Sequence, residues 1–367
     1  DQKLQNTIIT RLPNWTANIQ GFEQRAINAE THQMGDIPAG SYLSDFGNAP
    51  ELSGITGWIN SDPKTLADLH GHVVLVKFWT YSCINCIRTL PYVQAWYDKY
   101  HDKGFDIIAV HTPEFDFEKV PKNVESAVKE FGITYPVALD PNYSTWTAYR
   151  NQYWPAEYLI DGDGHLRYTH FGEGSYDETE RAIQSLLNEH GQRVTDALVQ
   201  ASQLNLLASQ TGETYFGTDR ATNYAGTPDL QNGTTAFTLP SSLPLNDWAL
   251  GGTWTIEGQH IHSSTSSSLS IQVQAQDVYL VLANATNTPR PLNVLVDGGN
   301  GSQLSIPGSA TEEPGLYRVA SFPKFGKHLL TFELPQGGIQ LFTATFGAPA
   351  PGLACGSNGR CDITPIQ

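Results

Sequence analysis

The sequence predicts an α/β domain followed by an all-β antiparallel sandwich, and three observations carry the prediction. Residues 50–190 alternate short β-branched runs with helical patterns. Beyond residue 217 helical periodicity disappears, and short alternating runs separated by turn residues replace it. The apolar run 72–79 ends in a turn holding Cys83 and Cys86, three apart, at the start of a helical pattern.

Composition narrows the function classes. The chain has 367 residues, enough for two domains, and its 40% hydrophobic content excludes a disordered polypeptide. A formal charge of −16 argues against nucleic acid or anionic lipid as a partner. No run of eighteen apolar residues occurs, and no signal-peptide pattern opens the chain. It starts at Asp1, which reads as a trimmed or processed end. A redox-type cysteine pair with two more cysteines near the end fits an oxidising compartment.

Residues 1–49 read as an extension with a short amphipathic helix and a Gly/Pro/Ser-rich connector. Residues 50–60 lead into the first buried strand, 72–79. From Cys83 the positions Ile87, Leu90, Val93, Trp96 and Tyr97 recur at helical spacing until about residue 101. A second buried strand spans 105–111, and a helix over 121–131 stops at Gly132. Residues 135–140 read as an edge-like strand, 143–149 as a short helix. A strand entered through Pro155, the turn 161–164, its paired strand 165–171 and a helix from 176 to 187 complete the unit. A helical linker is expected over 191–212.

The sandwich, 213–347, is expected to carry strands at 254–257, 268–273, 277–283, 292–297, 315–320, 328–333 and 338–346. Cys355 and Cys361, in the tail 348–367, could close a small local loop.

At a strand-to-helix junction both thiols fall in the first helical turn, where unpaired N–H groups and the positive helix end favour a thiolate. Cys83 is expected to be exposed and more acidic than an ordinary thiol at about 8.5, with Cys86 placed to resolve a mixed disulfide. A zinc site would need a second ligand pair at knuckle spacing, which Cys355 and Cys361 do not supply.

The turn Phe78-Trp79-x3-Cys-x2-Cys and the Trp154-Pro155 step before Tyr158-Leu-Ile-Asp resemble the thioredoxin fold over residues 50–190. The branch resembled is the membrane-associated, extracytoplasmic one of TlpA, ResA and DsbE types. Within it, W-T-Y-S-C-I-N-C-I-R-T-L-P-Y followed by V-H-T-P-E-F is similar to the soluble C-terminal region of the DipZ family. The resemblance implies a protein-disulfide oxidoreductase working through a redox-active disulfide without a further cofactor. It also implies an upstream transmembrane electron-carrying partner of the DsbD/CcdA kind, thiol or disulfide substrate proteins, and an extracytoplasmic location. Cys83 would attack and Cys86 resolve; Pro155 would be the cis-proline facing them, and Trp154 would shape the mouth of the site.

Glu114 stands where the ResA type keeps a partly buried glutamate, which would shuttle the Cys86 proton. Lys77 replaces the buried aspartate of thioredoxins. It would either balance Glu114 beneath the cysteines or extend to solvent. The second half resembles carbohydrate-binding-module sandwiches, and Tyr215, Tyr224, Trp248 and Trp254 are candidates for sugar stacking or for core. Residues 161–164 could suggest calcium, but His165 and Arg167 fall where oxygen ligands belong, leaving a hairpin turn. His260 and His262 share a strand face without an evident third ligand and read as polar surface. Two rival functions are a peroxide-reducing enzyme using Arg88 and a binding protein with an accessory redox site.

Overall fold

The computed structural model describes residues 43–199, 210–308, 313–348 and 353–363. The helix expected near the N-terminus, and the linker from 200 to 209, lie outside these.

The first sheet has six strands: β1 (Gly57–Ile59), β2 (Val73–Trp79), β3 (Phe105–His111), β4 (Val137–Leu139), β5 (Ala156–Ile160) and β6 (Leu166–Phe171), in the spatial order β1-β4-β3-β2-β5-β6. Every residue of β2 and β3 is buried, because a central strand covered on both faces has no polar side. β2, β3 and β4 run parallel, and the others antiparallel. The edge assigned to residues 135–140 is corrected: β1 pairs outside β4, and the edge strand is a three-residue segment too short to show a pattern.

Among the described residues, four helices accompany this sheet: α1 (Ile84–Tyr100), α2 (Pro121–Glu130), α3 (Ser144–Ala148) and α4 (Tyr176–Glu189). Their ends follow local chemistry. Gly132, at φ +66°, stops α2, with Gly132 N–H donating to the Lys129 carbonyl and Ile133 N–H to that of Val128. Asp140 accepts the Ser144, Thr145 and Trp146 amides and so starts α3. Gly191, at φ +82°, ends α4 by the same double bond, and residues 192–199 are not helical, which corrects the helical linker there. The Asn188 side chain holds that segment instead, accepting from Val194 N–H and donating to its carbonyl. The turn 161–164 is a hairpin, as expected: Asp161 accepts the Asp163 and His165 amides and pairs with Arg167 at 2.8 Å.

The second half contains β7 (Thr214–Tyr215), β8 (Gly233–Phe237), β9 (Trp248–Ile256), β10 (Ile261–Asn284), β11 (Arg290–Val296), β12 (Gly299–Ile306), β13 (Gly315–Leu334) and β14 (Ile339–Gly347), all antiparallel. Residues 268–273 and 277–283, expected as separate strands, are one continuous β10. Residues 315–320 and 328–333 are likewise one β13. The polar Gln274–Gln276 stretch is a register shift near Ala275 and Asp277, where an irregularity bends the strand instead of ending it. A core including Trp248, Trp254, Ile271, Leu280, Phe332 and Phe346 fills the interior. β15 (Leu353–Cys355) and β16 (Cys361–Ile363) form a small ladder closed by a Cys355–Cys361 disulfide, the local staple anticipated.

By packing, the chain forms two compact units that do not follow the sequence division. Among the described residues, one comprises 43–79, 92–112 and 134–199; the other comprises 80–91, 113–133, 210–308, 313–348 and 353–363. The cysteine turn and the loop after β3 therefore belong to the same unit as the antiparallel β region. No helix among the described residues is long and apolar enough to cross a membrane.

Lys77 is fully buried and pairs with Glu157 at 3.0 Å, directly across the β2–β5 ladder. Both expectations for Lys77 are thereby corrected: it neither reaches solvent nor serves as the counter-charge of Glu114. A buried ion pair contributes little net stability, but losing one partner strands the other charge. Glu157→Leu should destabilise the chain by about 3–5 kcal/mol in urea unfolding, and adding Lys77→Met should recover most of that loss. Equal destabilisation in the single and double variants would contradict this account.

Candidate active site

Cys83 immediately precedes α1 and Cys86 lies in its first turn, so the dithiol sits where the sequence places it. The Cys86 N–H donates to Cys83 Sγ at 3.4 Å, and the Ile87 N–H to the Cys83 carbonyl at 3.0 Å. Neither cysteine is in a disulfide and both are buried, Cys83 at 3% exposure, which corrects the expectation of an exposed nucleophile. The residues flanking the pair pack against the β region. Ile84 and Ile87 join Phe115, Tyr279, Val281, Leu316 and Phe342 in one apolar cluster.

Arg88 fastens this packing. It is buried, donates to Asn85 Oδ1 at 3.1 Å and to the Ala348 carbonyl at 2.8 Å, and stands over the Tyr279 ring. Gly347 permits that approach, since a Cβ there would lie 2.7 Å from the guanidinium.

Glu118, which sequence reasoning passed over, organises the turn. Its Oε1 accepts Ser82 Oγ at 2.6 Å and Ser82 N–H at 3.3 Å, while Oε2 accepts the Glu114 and Phe115 amides at 2.5 and 3.0 Å. Burial, and secondarily the charge of Glu114, push its carboxyl above the usual range. The only local signal is an acidic residue in the short 3-10 turn Asp116–Lys119, where a solvated side chain would be the ordinary reading.

Glu114 is buried, as expected for the glutamate position, but its partners were not legible. Tyr215 Oη donates to its Oε1 at 2.5 Å, and Arg220 pairs with the same oxygen at 2.9 Å. Arg220 also lies over the Tyr215 ring at 3.7 Å and the Phe115 ring at 5.2 Å. β7 supplies the scaffold. Paired with β14, it places Glu213 and Tyr215 on one face, and Glu213 accepts Thr343 and Thr345 hydroxyls at 3.3 and 3.2 Å. Burial, then the charge of Glu114, raise the Glu213 carboxyl to about 8.

These groups reverse the expected thiol acidity. The Cys83 thiol is pushed well above its ordinary range, first by its hydrogen bond with the Cys86 sulfur, then by burial. The charges of Cys86, Glu213 and Glu114 add to it. A helix start favours the thiolate, but only weakly against lost hydration and two nearby carboxylates.

The remaining predicted residues fall in the other unit. The Trp154–Pro155 bond is cis, as the resemblance implied, and the Pro155 carbonyl accepts Gly172 N–H at 2.8 Å. Trp154 donates its indole N–H to the Thr112 carbonyl at 2.9 Å and lies against Trp146. Trp79 is buried edge-on to His111, whose pKa burial lowers to about 3. Of the proposed sugar-stacking rings, Trp248 and Trp254 are wholly buried, Tyr224 packs on the same core, and Tyr215 is held by Glu114 and Arg220. The stacking role is therefore corrected to core and site packing for all four.

Charge relief gives a test with a definite sign. Glu213 is neutral below its pKa of about 8 and anionic above it, so it opposes the Cys83 thiolate only in alkaline solution. Glu213→Gln should speed iodoacetamide labelling of Cys83 by about 3- to 10-fold at alkaline pH, with little change at mildly acidic pH. Acceleration of the same size at both values would refute the electrostatic account.

Comparison with known proteins agrees with this geometry. Residues 48–187 match the Redoxin family and residues 211–347 a family described as "Thioredoxin like C-terminal domain". Protein DipZ of Mycobacterium tuberculosis is 40% identical over 356 residues, 92% of this chain and 50% of that protein. The chain thus spans about half the length of the curated DipZ relatives it matches. Thiol-disulfide oxidoreductase YkuV of Bacillus subtilis is 30% identical over 140 residues, covering 38% of this chain and 94% of the relative. Thiol-disulfide oxidoreductase ResA of Bacillus thuringiensis is 31% identical over 121 residues, 33% of this chain and 67% of the relative. With a dithiol at a helix start behind a buried central strand, and relatives matched along most of their own length, the chain belongs to the thioredoxin-like thiol–disulfide oxidoreductases of the ResA branch.

Proposed function

We propose that the chain is the extracytoplasmic reducing arm of a DipZ-like protein, passing electrons from a membrane DsbD/CcdA-like region to disulfides of substrate proteins. The single observation that carries the chemistry is the Cys83–Cys86 pair at the head of α1, with the Cys86 amide aimed at Cys83 Sγ. The Cys83 thiolate attacks one sulfur of a substrate disulfide, forming a mixed disulfide and releasing a substrate thiolate that takes up a proton. Cys86, losing its proton, attacks Cys83 Sγ and expels the second substrate thiol. The substrate gains two electrons and two protons, and the chain is left with a Cys83–Cys86 disulfide. The membrane partner then returns the dithiol. The cysteine pair is the only redox group this cycle requires, and no cofactor enters it.

The likeness to DipZ, a protein about twice the matched length, supports the membrane partner. The Cys355–Cys361 bridge supports an oxidising, extracytoplasmic setting. The peroxide reading loses its arginine, because the Arg88 guanidinium is engaged by Asn85, the Ala348 carbonyl and Tyr279. We assign the β region a covering role at the dithiol. The sugar reading retains only its architectural analogy, since the four rings that motivated it are packed elsewhere.

Cys83→Ser should reduce insulin-disulfide reduction to the uncatalysed rate. Cys86→Ser should accumulate a mixed disulfide with substrate, visible on a non-reducing gel. Hydrogen peroxide turnover exceeding insulin reduction, or residual reductase activity in Cys83→Ser, would reject the proposal.

A further inference from the structure

At the head of the β9–β10 hairpin, the two-residue turn Gly258-Gln259 joins Glu257 to His260. Glu257 N–H donates to the His260 carbonyl at 2.9 Å. The ladder below it pairs Ile256 with Ile261 and Thr255 with His262. Side chains alternate along a strand, so Glu257, His260 and His262 project from one face. On the other side of β10, His262 pairs with Gln340 of β14, which puts Gln340 on that face as well.

Glu257 and the two histidines converge without hydrogen-bonding one another. Glu257 Oε2 stands 3.7 Å from His260 Nε2, and Glu257 Oε1 stands 3.8 Å from His262 Nδ1. Both separations are too long for hydrogen bonds. His262 Nδ1 is buried and has no hydrogen-bond partner among the described residues. The three ligand atoms all lie within 4.8 Å of one another. Four-coordinate zinc, with bonds of about 2.0–2.2 Å to nitrogen and oxygen, sets neighbouring ligand atoms about 3.3 Å apart. Side-chain rotations that bring the ligand atoms together by at most about 1.5 Å close that difference.

We propose that Glu257, His260 and His262 bind a divalent transition-metal ion of the zinc class, with the Gln340 side chain as the fourth neighbour. The Gln340 amide nitrogen lies 3.0 Å from His260 Nε2. Half a turn of that amide brings its oxygen to the same place as a ligand. Two imidazoles and a carboxylate form a donor set suited to zinc, whereas calcium or magnesium would require an all-oxygen shell. The site also shares its turn with a contact to the loop beside the dithiol, since Gln259 Oε1 accepts the Asp116 amide at 2.9 Å. A bound ion would brace that turn.

The experiment is calorimetric titration of the full chain with Zn2+ alone, in a Cys83→Ser/Cys86→Ser background that removes the competing dithiol. One ion per chain is expected. His260→Ala and His262→Ala should each weaken binding by roughly 100-fold or more, and Glu257→Gln by at least about tenfold. His328→Ala, at an imidazole paired with Asp297 elsewhere, should leave the affinity unchanged. Circular dichroism melting of each variant without metal separates loss of ligand from loss of fold. A variant with lowered melting is replaced by His260→Gln or His262→Gln. Absence of binding in the parent chain, or binding that survives His260→Ala/His262→Ala together, overturns the proposal.

Discussion

The Glu118 carboxylate is the constraint on which the site depends. Its two oxygens gather the Ser82 amide and hydroxyl, and the amides of Glu114 and Phe115, so a buried acid fixes the turn before α1 against the loop after β3. Each donor would otherwise be a polar group in a largely dry interior, at a cost of about 1–3 kcal/mol apiece. The positions of Cys83, Glu114 and the aromatic pair Phe115 and Phe117 follow from that one anchor. Everything the β region contributes is built around a turn held in this way.

Burial and charge around the dithiol act in one direction. Thioredoxin-type sites are generally read through the helix start, which favours thiolate. Here the hydrogen bond with the Cys86 sulfur, then the dry surroundings and, to a smaller extent, the carboxyls of Glu213 and Glu114 oppose it at Cys83. A thiol kept protonated by its surroundings becomes a thiolate only when those surroundings change or a compensating field is supplied. Arg220, stacked on Tyr215 and paired with Glu114, is the nearby cation through which such a field would act.

The local parts of this design were legible in the sequence, and the non-local parts were not. The buried strands β2 and β3, the stop of α2 at Gly132 and the hairpin after Asp161 all declare themselves within a few residues. The cysteine pair also declares itself, because its spacing only makes sense at a strand-to-helix junction. The partner of Lys77 lies 80 residues away and that of Glu114 106 residues away, and no periodicity encodes either meeting. β10 reads as two strands, 268–273 and 277–283, because a register shift near Ala275 and Asp277 interrupts the pattern without ending the strand. The sign of the Cys83 shift was missed for the same reason. The helix start is legible locally, whereas the Cys86 hydrogen bond and the burial that raise Cys83 most depend on the folded packing, and the smaller contribution of Glu213 comes from the second half of the chain.

The Arg88–Ala348 hydrogen bond spans 260 residues, and that distance has a consequence for biosynthesis. At about 5–20 residues per second, roughly 10–50 s separates emergence of the cysteine turn from emergence of the carbonyl that Arg88 binds. During that interval Arg88 awaits Ala348, and Ile84 and Ile87 await the Phe342 side of their cluster. The far C-terminal strand is thus the last piece of that packing to arrive.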